Sequence, residues 1–199
     1  MPRLGEESIR ITAVRPTDIR EIHAAYNRLG DAGKRHFHPG FLGSEALSPR
    51  GIAGRLLLRV SARPLGLRVL RTLRIAPFLI AAVARTESSI SGFAFVLVRK
   101  MTRPGTFGVF VVPGSEGRGV GSRLTESVLR EAEHMGLQEV ELTVQADNDR
   151  ARRLYEGQGF VIVETVPRGD RYRGYAYDYH RMLLRFSERP DHHEDRTSS

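Results

Sequence analysis

The chain has 199 residues, 40% of them hydrophobic and 27% charged, with a formal net charge of +8. Such a length suggests a single domain, and the apolar content is enough for a real core, which excludes a disordered chain. There is no cysteine, so disulfides, thiolate metal sites and a cysteine nucleophile are excluded, and a reducing cytoplasm suits the composition.

The residues from Ser8 to Val14 alternate and precede Arg15-Pro16, which reads as a first strand ending in a turn. Asp18 and Glu21 have capping-box spacing, and a helix is expected from there to about Leu29, with Ile19, Ile22 and Tyr26 on one face. Residues 30–43 read as a loop. Ser48-Pro49 opens a second helical region at about 50–74, within a basic segment placed at 44–75. Arg55, Arg59 and Arg63 recur there at i, i+4 spacing, and no acidic residue falls between Glu45 and Glu87. The plainer reading is a solvated arginine face over packed leucines. The alternative is a basic surface for a phosphorylated ligand or an anionic membrane.

Phe78 to Ala84 and Ile90 to Val98 are apolar runs that suggest an antiparallel hairpin, and Thr106 to Val112 a third strand buried on both faces. From there the pattern becomes strand–loop–helix. A helix is expected from Gly121 to about His134, a strand at Glu139 to Val144 and a short helix at Asp149 to Gly157. Strands follow at Phe160 to Thr165 and Tyr175 to Leu184. The polar tail at 187–199 is expected to be disordered. The order is mixed, a hairpin region leading into βαβ units, so an α/β fold with a mixed α+β sheet of about six to seven strands is expected.

Residues 111–122 join a strand to a helix through Gly114, Gly117, Gly119 and Gly121. Glycines let successive N–H groups turn inward, and the following helix adds unpaired N–H groups and the positive end of its dipole. The result suits a pyrophosphate. It is not a Walker A loop, because no Gly-Lys-Ser/Thr follows, and it comes too late in the chain for a dinucleotide fold. Further on, the stretch from Asn148 to Phe160 places Ala151 three residues and Tyr155 seven residues after Asn148, and closes on Gly159-Phe160. Asn148 can cap the short helix and bond an amide, and Ala151 and Tyr155 share a face. The purely structural alternative is that Tyr155 and Phe160 are core aromatics and Asn148 a plain N-cap.

Both stretches, in this order, resemble the two coenzyme A-binding segments of the GNAT superfamily of N-acetyltransferases. The resemblance covers about residues 8–184, read as one domain, and is specific over about 109–160. It departs from the family pattern at Glu116, where Gln or Arg is usual; an acid there should cost on the order of 1 kcal/mol, with Arg118 and Arg123 nearby to offset it. The resemblance implies a GNAT-type sheet with strands 4 and 5 splayed to admit the pantetheine arm. It implies acetyl-CoA as acyl donor, held by Val111, Val112, Gly117, Arg118, Gly119, Val120, Gly121, Ser122, Asn148, Ala151 and Tyr155. It also implies direct attack by a primary amine on the thioester, an oxyanion donor near Val111, Tyr155 as acid to the departing thiolate, and no metal.

No general base is identified; Glu87, Glu141, Asp178 and His180 are candidates, each read first as structural or solvated. The acceptor is open among small molecules, amino sugars and peptide or protein N-termini. Arg171-Tyr172-Arg173-Gly174-Tyr175 is faintly similar to the C-terminal pattern of ribosomal-protein N-terminal acetyltransferases, although the tyrosines read first as packing. Nearly all the basic residues are arginine, only Lys34 and Lys100 being lysine, and no nucleic-acid-binding motif appears. Neither nucleic acid nor membrane is expected as a partner, and a homodimer is left open. The rival readings are a non-catalytic acyl-CoA-binding module and a basic surface-binding protein.

Overall fold

The computed structural model describes residues 8–37, 39 and 77–188. The arginine-rich segment at 44–75 lies outside the described residues, as does the tail from 189 on. The two described tail residues, Ser187 and Glu188, finish a short 3-10 turn at Phe186–Glu188.

The strands are β1 (Arg10–Ala13), β2 (Phe78–Arg85), β3 (Ile90–Val98), β4 (Gly105–Val111), β5 (Glu139–Gln145), β6 (Val161–Tyr172) and β7 (Tyr175–Arg185). The helices are α1 (Ile19–Asn27), α2 (Gly30–His36), α3 (Val120–His134) and α4 (Asp149–Glu156). Among the described residues seven strands form one sheet in the order β1-β2-β3-β4-β5-β7-β6. Every neighbouring pair is antiparallel except β4 and β5. Among the described residues no helix is long and apolar enough to cross a membrane.

Two apolar layers sandwich the sheet. On one face α3 presents Val120, Leu124, Val128, Leu129 and Ala132 at helical spacing to Phe78, Ile80, Ala94, Val96, Val140 and Leu142. On the other, α1 presents Ile19, Ile22, Ala25 and Tyr26 to Leu79, Val83, Phe93, Phe95 and Phe110. The inner strand β3 is accordingly buried at nearly every position.

Several elements differ from the sequence expectation, each for a local reason. Residues 30–36, expected as loop, form α2. Their two glycines give no apolar stripe, and α2 has no buried residue. It is held from outside instead, through Phe37 packing on Phe95 and Phe110 and through Gln145 Nε2 donating to the Arg35 carbonyl at 3.2 Å. Asp31 near its start and Lys34, Arg35 and His36 near its end also suit the helix dipole. The expected capping box at Asp18 and Glu21 does not form. Asp18 instead accepts from Arg15 N at 2.9 Å and pairs with Arg85 at 2.7 Å, while Glu21 accepts from Ile90 N at 2.6 Å and meets Arg85 at 3.0 Å. The two acids thus pin α1 to the β2–β3 turn.

β6 runs well past Thr165 because it is the sheet's outer strand and pairs only with β7. Pro167 therefore removes no inner ladder bond. A register shift between Val166 and Asp170 marks a bulge at Arg168 (φ 51°), whose N–H donates to Asp178 at 2.8 Å. β4 is less covered than expected: Phe107 and Phe110 are buried, but Val109 and Val111 are only half-buried.

The Asp18 carboxylate is 5% exposed and serves both a backbone N–H and a guanidinium. Asp18→Ala strands both donors, and the substitution is expected to cost about 2 kcal/mol in urea unfolding.

Candidate functional site

β4 and β5 pair only at Gly105↔Val140 and Thr106↔Glu141. Beyond that point β4 continues to Val111 and β5 to Gln145 without a shared ladder, so a gap opens inside the sheet. Val112 N donates to the Ser91 carbonyl at 2.8 Å, toward β3. Peptide groups alternate along a strand, so the N–H and C=O of Val109 and Val111 turn the other way, into the gap. Among the described residues these gap-facing backbone groups have no strand partner, as at a sheet edge. Of the sequence-predicted pair, Val111 presents its amide there. Val112 has its amide committed to Ser91 and its side chain buried on the α1 face.

The glycine-rich turn leaves the same end of β4. Gly114, Gly117 and Gly119 have φ of 88°, 75° and 70°, left-handed conformations that a side chain would strain, and Gly119 is the N-cap residue of α3. The amides of Val120, Gly121 and Ser122 fall in the first turn of α3, where no intrahelical acceptor exists. Gly117, Arg118 and Gly119 lead directly into them. Gly121 has a different reason to be glycine: a Cβ there would lie 2.9 Å from Leu154 Cδ1, so the start of α3 packs tightly against α4.

The second stretch forms α4. Asn148 Oδ1 accepts from Ala151 N at 3.2 Å, so the expected N-cap is present. Ala151 and Leu154 pack against the core, and Tyr155 is 8% exposed. The Tyr155 ring stands edge-on to Phe107 (5.8 Å between centroids, 82°) and to Phe160 (6.0 Å, 62°). Phe107 is the first β4 residue past the last paired position, so the aromatic trio packs beside the point where the strands part. Burial pushes the Tyr155 phenol well above its ordinary value, and the group stays protonated at neutral pH. Glu116, the departure in the glycine turn, meets Arg150 of α4 at 3.4 Å. Its partner thus comes from the second stretch, while Arg123 lines a surface groove beside Ile11, Glu126 and Arg130.

The four sequence candidates for a base have other placements. Glu87 is exposed in the β2–β3 turn. Glu141 meets Arg181 at 3.7 Å, and Asp178 accepts from Arg168 N. His180 Nδ1 lies 2.9 Å from Thr165 Oγ1, on the α3 side of the sheet as fixed by its pairing with Val144. A cluster the sequence did not single out lies on the α1–α2 side: His36, Arg35, Gln145, Asp147 and Asp170. Among the described residues no group of three or more acids and histidines is arranged to hold a metal.

The model of the acetyltransferase (GNAT) family matches residues 50–160. Mycothiol acetyltransferase of Frankia alni is 36% identical over 107 residues, covering 48% of this chain and 32% of that protein. The enzyme of the same name from Beutenbergia cavernae is 47% identical over 53 residues, covering 27% and 18%. These matches thus span less than a third of the relatives' own length. Among solved structures, an acetyltransferase of the GNAT family from Streptococcus pneumoniae superimposes with a TM-score of 0.68 at 21% identity, covering 89% of this chain and 99% of that one. Spermidine N-acetyltransferase from Vibrio cholerae, in complex with CoA and spermine, gives 0.64 at 18%, covering 90% and 96%. At such identities the structural likeness speaks for the fold.

Replacing the cap, Asn148→Ala, is expected to lower stability by about 1 kcal/mol, read as a fall in thermal midpoint. Gly119→Val should add strain of about 1–2 kcal/mol at the turn and weaken binding of inorganic pyrophosphate, measured by calorimetry.

Proposed function

The chain belongs to the acetyltransferase (GNAT) family, and from that premise we propose that it transfers an acetyl group from acetyl-CoA to the primary amine of an acceptor. The observation that carries this reading is the opening of the β4–β5 gap directly beside the glycine turn, with Tyr155 buried at its root. The gap offers unpaired strand amides to a slender chain carrying amide groups, and the turn offers helix-start amides to a pyrophosphate at the end of that chain.

In this reading Gly117 to Ser122 hold the pyrophosphate through backbone N–H groups. Asn148, whose Oδ1 is used by the cap, turns its Nδ2 donors to a pantetheine carbonyl. Ala151 keeps the α4 face low beside the arm. The N–H of Val111 polarises the thioester carbonyl as charge develops on its oxygen. The neutral amine's nitrogen bonds to the carbonyl carbon and gives up one N–H proton, the carbon–sulfur bond breaks, and the departing thiolate takes the Tyr155 phenolic proton, which the proton shed by the amine replaces through solvent. The phenol carries its proton at neutral pH, so a proton is available at that position. The reaction requires no metal.

The shared stretch of the mycothiol acetyltransferases supports the donor half of this reading, and the acceptor is proposed only as an amine. A cytoplasmic setting fits a chain without cysteine.

The test is to incubate the chain with acetyl-CoA and a panel of amines, amino sugars and peptides while following free thiol. Tyr155→Phe keeps the ring and its packing, so kcat is expected to fall by about 10²–10⁴-fold with the acetyl-CoA Kd unchanged. Tight acetyl-CoA binding without thiol release on any acceptor would replace this reading by a binding module.

A further inference from the structure

The glycine turn departs from the family pattern at one side chain, Glu116, and the second stretch supplies the partner of that side chain. α4 has eight residues, among them three arginines and two acids. Arg152 takes both acids, meeting Asp149 Oδ1 at 2.8 Å and Glu156 Oε1 at 2.9 Å. Arg150 lies four residues before Leu154, so the two share one face of the helix. That face is turned to the start of α3, because a Cβ on Gly121 would stand 2.9 Å from Leu154 Cδ1. Arg150 accordingly reaches across to the turn, where its Nη1 lies 3.4 Å from Glu116 Oε2.

The contact is a loose one. It is longer than either pair made by Arg152, and the side chains of Arg150 and Glu116 are 64% and 49% exposed. An exposed pair of this kind holds its partners together by a factor of about five at most. A phosphate group competes well for the same guanidinium, because its oxygens accept two parallel N–H bonds and carry full negative charge. The turn that would receive such a group is only one side chain away from Arg150. Arg123, although it follows the turn closely, lines the groove beside Ile11, Glu126 and Arg130 instead.

We propose that Arg150 is a donor-binding residue that grips a phosphate of the acyl donor, and that Glu116 holds its guanidinium beside the turn and yields it to that phosphate. This rests on the acetyl-CoA reading above and adds a side chain to a cradle otherwise made of backbone amides. One ion pair is exchanged for another, with no covalent change. Glu116 opposes the donor in two ways. Its pair with Arg150 is given up on binding, and its charge then faces the phosphate from within the same turn. The acid in place of the usual Gln or Arg thus sets how tightly the nucleotide end of the donor is held, and so how readily the CoA product leaves.

The experiment measures the Kd of CoA, dephospho-CoA and pantetheine by calorimetry for the wild-type chain, E116Q, R150Q and the double variant. Both side chains are exposed, so unchanged thermal midpoints are expected. E116Q should bind CoA about three- to five-fold more tightly. R150Q should weaken CoA about ten-fold, and should do so again in the E116Q background, where no acid remains for Arg150 to neutralise. Pantetheine, which has no phosphate, should bind all four chains alike. A loss that persists with dephospho-CoA places Arg150 on the diphosphate, and a loss confined to CoA places it on the ribose phosphate. If R150Q weakens CoA in the wild-type chain and changes nothing in E116Q, Arg150 serves only Glu116. That result, or variants that shift pantetheine as much as CoA, would overturn the inference and leave acetyl transfer standing. A wild-type chain that binds no CoA would overturn both.

Discussion

Two paired positions between β4 and β5, followed by divergence, are the constraint on which the rest of the structure depends. A parallel pair inside a sheet normally satisfies every peptide group it owns. Here the strands part after Thr106 and Glu141, and the outward amides of Val109 and Val111 are left to water or to a ligand. A buried peptide group without a partner costs about 1–3 kcal/mol, so such an opening persists only if the remaining sheet holds its two halves rigidly. Both halves are well held. β1 to β4 form one antiparallel meander under α1 and α3, and β5 pairs along its whole length with β7. At the root of the opening, Phe107, Tyr155 and Phe160 pack as a trio drawn from β4, α4 and the start of β6.

The two sequence stretches that resemble coenzyme A-binding segments prove to be one structural unit. Leu154 of α4 packs on Gly121 at the first turn of α3, and Arg150 of α4 meets Glu116 in the glycine turn. Glu116 breaks the family pattern in isolation. In the fold it is half of an exposed ion pair, which carries at most about 1 kcal/mol and leaves the cradle, made of backbone amides, intact. The left-handed glycines act through backbone conformation, since Gly114, Gly117 and Gly119 have open space where a Cβ would stand. Gly121 acts through space.

The two faces of the sheet carry different groups. The α3–α4 face carries the glycine turn and the buried phenol. The α1–α2 face carries His36 with its acid, amide and guanidinium neighbours, roofed by the β6–β7 ribbon, where Arg173 pairs with Asp31 at 2.9 Å and Arg35 stacks over Tyr177.

The sequence by itself determined the hairpin, the mixed character of the sheet, the extents of α3 and α4 and the glycine-rich turn between β4 and α3. Those features are local: apolar periodicity, a capping asparagine and glycines with positive φ act within a few residues of themselves. It read α2 as a loop, because those residues have no apolar stripe and the helix is held by contacts of Phe37 and Gln145 with distant parts of the chain. It ended β6 at Thr165, seven residues short, because Pro167 signals a break unless the strand is known to be an edge. The cluster around His36 joins residues more than a hundred positions apart, and no spacing rule links His36 to Gln145 or Asp170. The parting of β4 from β5 was legible only as an implication of family resemblance. Strand pairing is a long-range property, and the tertiary structure alone decided where that pairing stops.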